Sequence, residues 1–215
     1  MERLRLLLVL TVADIRAAGP GVWNGWKGQL LRELYAGAEA IFRGGRSGDP
    51  AAAAQRHLES TARDARAALA AAHPDTSDWA ATMEDAYFSA FTTAEVAEHA
   101  ALVQRARQQG GSAAGGRIRT DRNTAELVVA AKDRRGLFAD LAAAVTDLGG
   151  NVLGARVFTS TDGQALDVFQ VQDASGAPYG ADNPRSLRRL ADALEAAGRG
   201  EGSAPESRRG DLGRT

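Results

Sequence analysis

The stretch Glu126-Leu127-Val128-Val129-Ala130-Ala131-Lys132-Asp133-Arg134-Arg135-Gly136-Leu137-Phe138 decides the fold of this chain. Its first six residues are a short apolar run with paired valines, which has the length and composition of a strand. Asp133 to Gly136 break that run. Leu137, Phe138, Leu141, Val145 and Leu148 then recur as a helical stripe, stopped by Gly149-Gly150. Further along, Val152 to Phe158 reads as a second strand, Thr161-Asp162-Gly163 as a hairpin turn and Ala165 to Val171 as the returning strand. Leu187, Leu190 and Leu194 mark a final amphipathic helix. The order β-α-β-β-α predicts a ferredoxin-like plan that lacks its last strand.

The half of the chain before this stretch follows a different pattern. Residues 3–18 read as a helix that is apolar on nearly every side, which places it in the middle of a helical layer. Asp14 sits in that apolar setting, and a buried ionised carboxylate needs a cationic partner or a metal. Gly19-Pro20-Gly21 ends the helix, and Trp26, Leu30, Leu34, Ala38 and Phe42 recur at the spacing of the next. Asp49 is the N-cap expected before Pro50. Residues 50–72 form an alanine-rich helix, peripheral because Leu58 and Leu69 are among its few large apolar groups. Two more helices follow near 77–90 and 93–109, with Ser77 and Thr93 as caps. The organisation expected is α+β: an all-helical region over 1–109, a flexible linker over 110–122, the strand-containing unit over 123–198 and a disordered tail over 199–215.

Composition narrows the function classes. A 44% hydrophobic and 25% charged chain with net charge -1 is ordinary for a globular protein and has no electrostatic pull toward nucleic acid or an anionic membrane. Cysteine is absent, and His57, His73 and His99 are too scattered for a zinc site. The run Leu6 to Leu10 after Arg3 and Arg5 imitates a signal peptide. Asp14 and Arg16 argue against cleavage near Ala17-Ala18, and the run is too short to span a bilayer. Arg117, Arg119 and Arg122 read as a solvated basic patch in the linker rather than a nucleic-acid surface. Trp23, Trp26, Tyr87 and Phe88 read as core, and His99 as a helix-surface or interdomain residue.

Two separated motifs carry a resemblance to one family. Asp14-Ile15-Arg16-Ala17 and Trp23-Asn24-Gly25-Trp26-Lys27 resemble the end of the HD phosphohydrolase domain of bacterial PII uridylyltransferase/uridylyl-removing enzymes. The loop Asp133 to Phe138, Asn151, Ala155 to Thr159 and Ala165 to Phe169 resemble the first ACT domain of the same enzymes. The resemblance implies that Asp14 matches a ligand of the Mg2+ or Mn2+ held by the parent enzyme. A salt bridge to Arg16, Lys27 or Arg32 is the alternative for that carboxylate. It also implies that Asp133, Arg135, Gly136, Leu137 and Asn151 form a glutamine-sensing surface where an ACT unit meets its neighbour. The chemistry suits this, since a glycine lets backbone N–H groups approach a ligand and a helix N-terminus favours a carboxylate. Asp133 can accept from an ammonium, and Asn151 offers a donor and an acceptor. Simpler roles stay open: Asp133 as a helix cap, Gly136 as a packing glycine. Arg135 stands where the family has proline, which loosens the loop.

The sequence also departs from the family. It contains neither a His-Asp dipeptide nor the Gly-Ser motif with paired aspartates of a nucleotidyltransferase. No catalytic residue is therefore assigned; the chain alone is expected to catalyse neither uridylyl transfer nor uridylyl removal and to hold no cofactor. It reads as an internal piece of a longer enzyme. By resemblance its partners are the PII signal protein, glutamine and possible further ACT units, with no nucleic acid and no membrane, in the cytoplasm. The competing reading is a stand-alone, non-enzymatic ACT-type module that binds an amino acid. A membrane-tethered or exported helical protein is a third, which hinges on the signal-peptide reading.

Overall fold

The computed structural model describes residues 2–19, 23, 25–44, 50–74 and 77–201. Asp49 and the tail beyond Glu201 lie outside the described residues. The helical part runs α1 (Glu2–Ala17), α2 (Gly25–Gly44), α3 (Pro50–Ala72), α4 (Ser77–Ala81), α5 (Asp85–Ala90) and α6 (Thr93–Gln108). The sheet unit follows as β1 (Ser112–Arg119), β2 (Thr124–Lys132), α7 (Leu137–Asp147), β3 (Asn151–Thr159), β4 (Gln164–Gln172) and α8 (Pro184–Gly198). All strand pairs are antiparallel, in the order β1-β2-β4-β3.

Two local details differ from the sequence reading. The single helix expected over 77–90 is broken into α4 and α5. The guanidinium of Arg66 donates to the carbonyls of Ala80 (3.4 Å) and Met83 (2.7 Å) and to the Asp85 carboxylate (2.6 Å), bonding at the break to carbonyls a continuous helix would use. The cap of α6 is Thr92, one residue before the expected Thr93. Its hydroxyl accepts from the Glu95 N–H while Glu95 accepts from the Thr92 N–H, a reciprocal capping box.

The larger correction concerns residues 110–122. A strand, β1, occupies most of the segment expected to be a flexible linker, paired to β2 from Ser112↔Ala131 to Arg119↔Thr124. Glycine-rich composition suggested a linker, but ladder hydrogen bonds need only backbone, and Ser112, Ala113 and Ala114 are buried. The sheet edge beside β2, open in the βαββα plan, is therefore filled from the N-terminal side. Its own outer edge is partly sealed. The Arg105 guanidinium donates to the Ala114 carbonyl, and the Ala114 N–H reaches Glu195 at 3.3 Å.

Both faces of the sheet are covered. On one side Leu127, Val129, Phe169 and Val171 pack under α7 and α8 with Leu141, Val145, Leu190 and Leu194. On the other, Ala130, Leu166 and Val168 join Tyr87, Phe88, Phe91, Val96 and Val103 of the helical layer in one cluster. Tyr87 and Phe91 meet Phe158 of β3 with ring centroids 5.2 and 5.7 Å apart. The helical layer and the sheet thus share a core, with no spacer between them. At the other end of the chain α1 contributes no buried residue at all.

Candidate functional site

The loop Asp133–Gly136 leaves the end of β2 and enters α7 through Gly136, which takes a left-handed conformation (φ 84°) that favours glycine. No side chain caps α7, so Asp133 is not a helix cap; the Leu137 N–H is taken by the Arg134 carbonyl at 3.2 Å, which leaves those of Phe138 and Ala139 as the first-turn donors for solvent or a ligand. Asp133, Arg135 and Gly136 are exposed, whereas Leu137 is buried with its N–H bonded to the Arg134 carbonyl, so it supports the loop from beneath. Arg134 pins the loop by bonding the Asp140 carboxylate (2.6 Å) and the Ala197 carbonyl of α8 (2.9 Å). The Asp133 N–H is held by the Gly163 carbonyl at 2.9 Å.

Asn151 does not join this group within one chain. It opens β3 opposite Gln172, whereas Asp133 follows Lys132, which pairs with Gln164 at the other end of β4. Eight strand steps, roughly 25 Å, separate the two. One acid that the sequence reading missed lies on the face beneath α7. Asp167 of β4 is buried, its Oδ1 has no hydrogen-bond partner, and burial followed by the charge of Asp133 pushes its carboxyl up to about 6. The signal was present, since Asp167 interrupts the apolar run Leu166, Val168, Phe169.

Two of the three arginines read as a linker patch stand elsewhere than expected, while Arg122 lies beside Asp121 after β1. Arg117 and Arg119 project from β1 toward α6 and meet Glu95 (3.0 and 2.5 Å) and the buried Glu126 (2.6 and 3.5 Å). Glu126 also accepts from Gln170 at 3.0 Å. Burial works against the charge of Glu95, but its bonds from the Thr92 backbone and Arg119 overcome this and hold the carboxyl down to about 2. His99 is buried, 2.8 Å from the Tyr87 hydroxyl, and burial lowers its pKa to about 4. It therefore belongs to the seam between the helical layer and the sheet. A cavity of ≈ 150 Å³ there is lined by His99, Leu102, Gly115, Arg117, Glu126 and Val128, among others.

Asp14 contradicts the expectation of a buried carboxylate, because it is exposed and needs no compensating cation. It borders a shallow depression with Ile15, Ala17, Ala18 and Lys27. Among the described residues no three His, Cys, Asp or Glu side chains converge as metal ligands, so the donors present here do not fit a divalent ion by themselves. Trp23 is half-buried and lies under the Arg16 guanidinium at 5.1 Å. No helix among the described residues is long and apolar enough to cross a membrane.

Comparison with known proteins matches residues 125–178 to the ACT domain family. The chain is 68% identical over 209 residues to the bifunctional uridylyltransferase/uridylyl-removing enzyme of Caulobacter vibrioides, covering 97% of this chain and 22% of that protein. It is 65% identical over 215 residues to the enzyme of the same name from Phenylobacterium zucineum (100% and 23%) and 44% over 184 residues to that of Azospirillum brasilense (81% and 19%). The chain spans about a fifth of the length of the curated relatives it matches.

Proposed function

We propose that this chain, homologous over nearly its whole length to a segment of the bifunctional uridylyltransferase/uridylyl-removing enzymes and carrying an ACT domain, is the glutamine-sensing regulatory portion of such an enzyme. The whole enzyme, on this reading, adds UMP to and removes it from the PII signal protein in the cytoplasm, using Mg2+ or Mn2+. Asp14 then supplies one ligand among several brought by the rest of the enzyme. Neither nucleic acid nor a membrane is a partner.

The observation that carries the reading is the uncapped N-terminus of α7, opened by Gly136 beside the exposed Asp133. The helix end suits the carboxylate of an amino acid and Asp133 its ammonium. Arg135 is exposed at the same opening, where its guanidinium can donate to the side-chain carboxamide oxygen of glutamine. The separation of Asn151 fits a shared site. β3 is an edge strand, and a second ACT unit pairing antiparallel along it brings the far end of its own β3 to this loop.

Isothermal titration of L-glutamine into the chain tests this. A saturable heat that weakens at least about tenfold in Asp133→Ala, ~1.4 kcal/mol, supports the site. Absence of binding by the wild-type chain in both its monomeric and associated forms rejects it.

A further inference from the structure

On the sheet face under α7 lies an acid with an oxygen that the fold leaves unpaired. Asp167 alternates along β4 with Ala165 and Phe169, both part of the core under α7 and α8, so its side chain shares their face. It is 2% exposed, and its Oδ1 accepts no hydrogen bond. Its cross-strand partners are Val129 and Val157, whose side chains have nothing to donate. A buried carboxylate oxygen without a donor is costly, and an acid kept in that state calls for a partner from outside the chain. The cover on the β3 side is thin. Val157 is 53% exposed, and Phe138 in the first turn of α7, 44% exposed, stacks on Phe169 with ring centroids 5.6 Å apart. Asp167 also feels the charge of Asp133, which puts it within electrostatic reach of the loop that opens α7.

We propose that Asp167 is a specificity-determining residue of the α7-loop site, where its unpaired Oδ1 accepts from the side-chain carboxamide N–H of the bound amino acid and turns away a side-chain carboxylate. The inference rests on the reading of that loop as an amino-acid site and deepens it. The poles of the ligand divide between three groups. The α-carboxylate meets the N–H groups of Phe138 and Ala139, the ammonium meets Asp133, and the carboxamide, at the far end of a short methylene chain, reaches Asp167 once the Phe138 ring turns off Phe169. Arg135 alone would favour glutamate, since a guanidinium binds a carboxylate more strongly than a neutral amide. A buried acid reverses that preference, because two carboxylates forced together out of water repel. Burial and Asp133 hold the Asp167 carboxyl near 6, so above that pH it is ionised and can only accept.

The test is calorimetric titration of L-glutamine, L-glutamate and L-glutamate γ-methyl ester into the full chain at about pH 7.5, where the acid is ionised. The wild-type chain should prefer glutamine to glutamate by at least about tenfold, and the methyl ester, neutral but without an N–H, should bind at least about fivefold more weakly than glutamine. In Asp167→Asn and Asp167→Ser the preference for glutamine over glutamate should fall by about tenfold, with thermal unfolding checking that each variant is folded. The ester comparison needs no variant, so it stands even if both substitutions unfold the chain. Equal binding of glutamine and its ester, equal binding of glutamate by the wild type, or a preference unchanged in a folded variant overturns the role of Asp167 and leaves the loop site standing. Parallel loss of both ligands in a folded variant overturns it too, since a merely structural acid lowers affinity without changing selectivity. A wild-type chain that binds none of the three overturns the loop site and this inference together.

Discussion

The α1–α2 pair and the four-stranded sheet are both rich in large apolar residues, yet they end in opposite states. None of the 16 residues of α1 is buried, whereas eight of the nine residues of β4 are. A central strand has a neighbour on each edge and a layer on each face, so even Asp167 and Gln170 are enclosed. Among the described residues α1 packs mainly against α2, and that contact buries none of its side chains. An apolar pattern thus states that a segment is suited to burial; what covers it is a property of the neighbours.

The contrast is open to experiment. The sharpest measurement is Phe169→Ala against Leu10→Ala by urea unfolding. Phe169 is 0% exposed and its loss costs about 3–5 kcal/mol, while Leu10, 65% exposed, costs under about 0.5 kcal/mol. Equal losses break the comparison. Next in size is Glu126→Gln, which strips two arginines and Gln170 of a charged acceptor in the seam. A loss of about 2–3 kcal/mol is expected, and a neutral result means that the seam is held by the aromatic cluster alone.

A pH series probes the same seam. The folded pKa of His99, about 4, lies below its unfolded value near 6.5, so the unfolded chain takes up the proton first as pH falls. Stability attributable to His99 is complete above 6.5 and declines toward 4, by about 2 kcal/mol at pH 5. Asp167 acts in the opposite sense. Its folded pKa is raised to about 6, so its favourable contribution is present at low pH and fades as pH rises through that value. Urea midpoints between pH 7 and 5 should therefore slope less in His99→Gln and more steeply in Asp167→Asn; unchanged slopes in both remove these groups from the account. The smallest effect concerns the loop. Gly136→Ala, at φ 84°, should cost about 1 kcal/mol in thermal unfolding and also weaken glutamine binding, whereas a stability cost alone limits Gly136 to turn geometry.

Much of the sheet unit was legible in advance. Paired valines, the Thr161-Asp162-Gly163 turn and the leucines of α7 and α8 each carry a local signal that matches the period of its element. β1 was not legible, because Gly115 and Gly116 have no side-chain pattern and their role is to pair backbone with β2. The break between α4 and α5 was hidden for a similar reason. It is made by the side chain of Arg66, from a helix completed several residues earlier.

The candidate site divides in the same way. Its loop residues from Asp133 to Leu137 were named through the resemblance to an ACT domain, and the glycine at the strand-to-helix turn is the local feature that agrees with it. That Asn151 lies at the opposite end of the sheet follows only from strand register, which links residues distant in the chain. The burial of Asp167 and the exposure of Asp14 were likewise decided by packing. Sequence by itself determined the order of most elements, the glycine that opens α7 and the family resemblance, because those depend on neighbours within a few residues. Tertiary structure alone decided that the supposed linker is a strand, that the helical layer and the sheet share one core, and that, among the described residues, α1 keeps an uncovered face. Those outcomes depend on which surfaces meet, and residues far apart in the chain settle that.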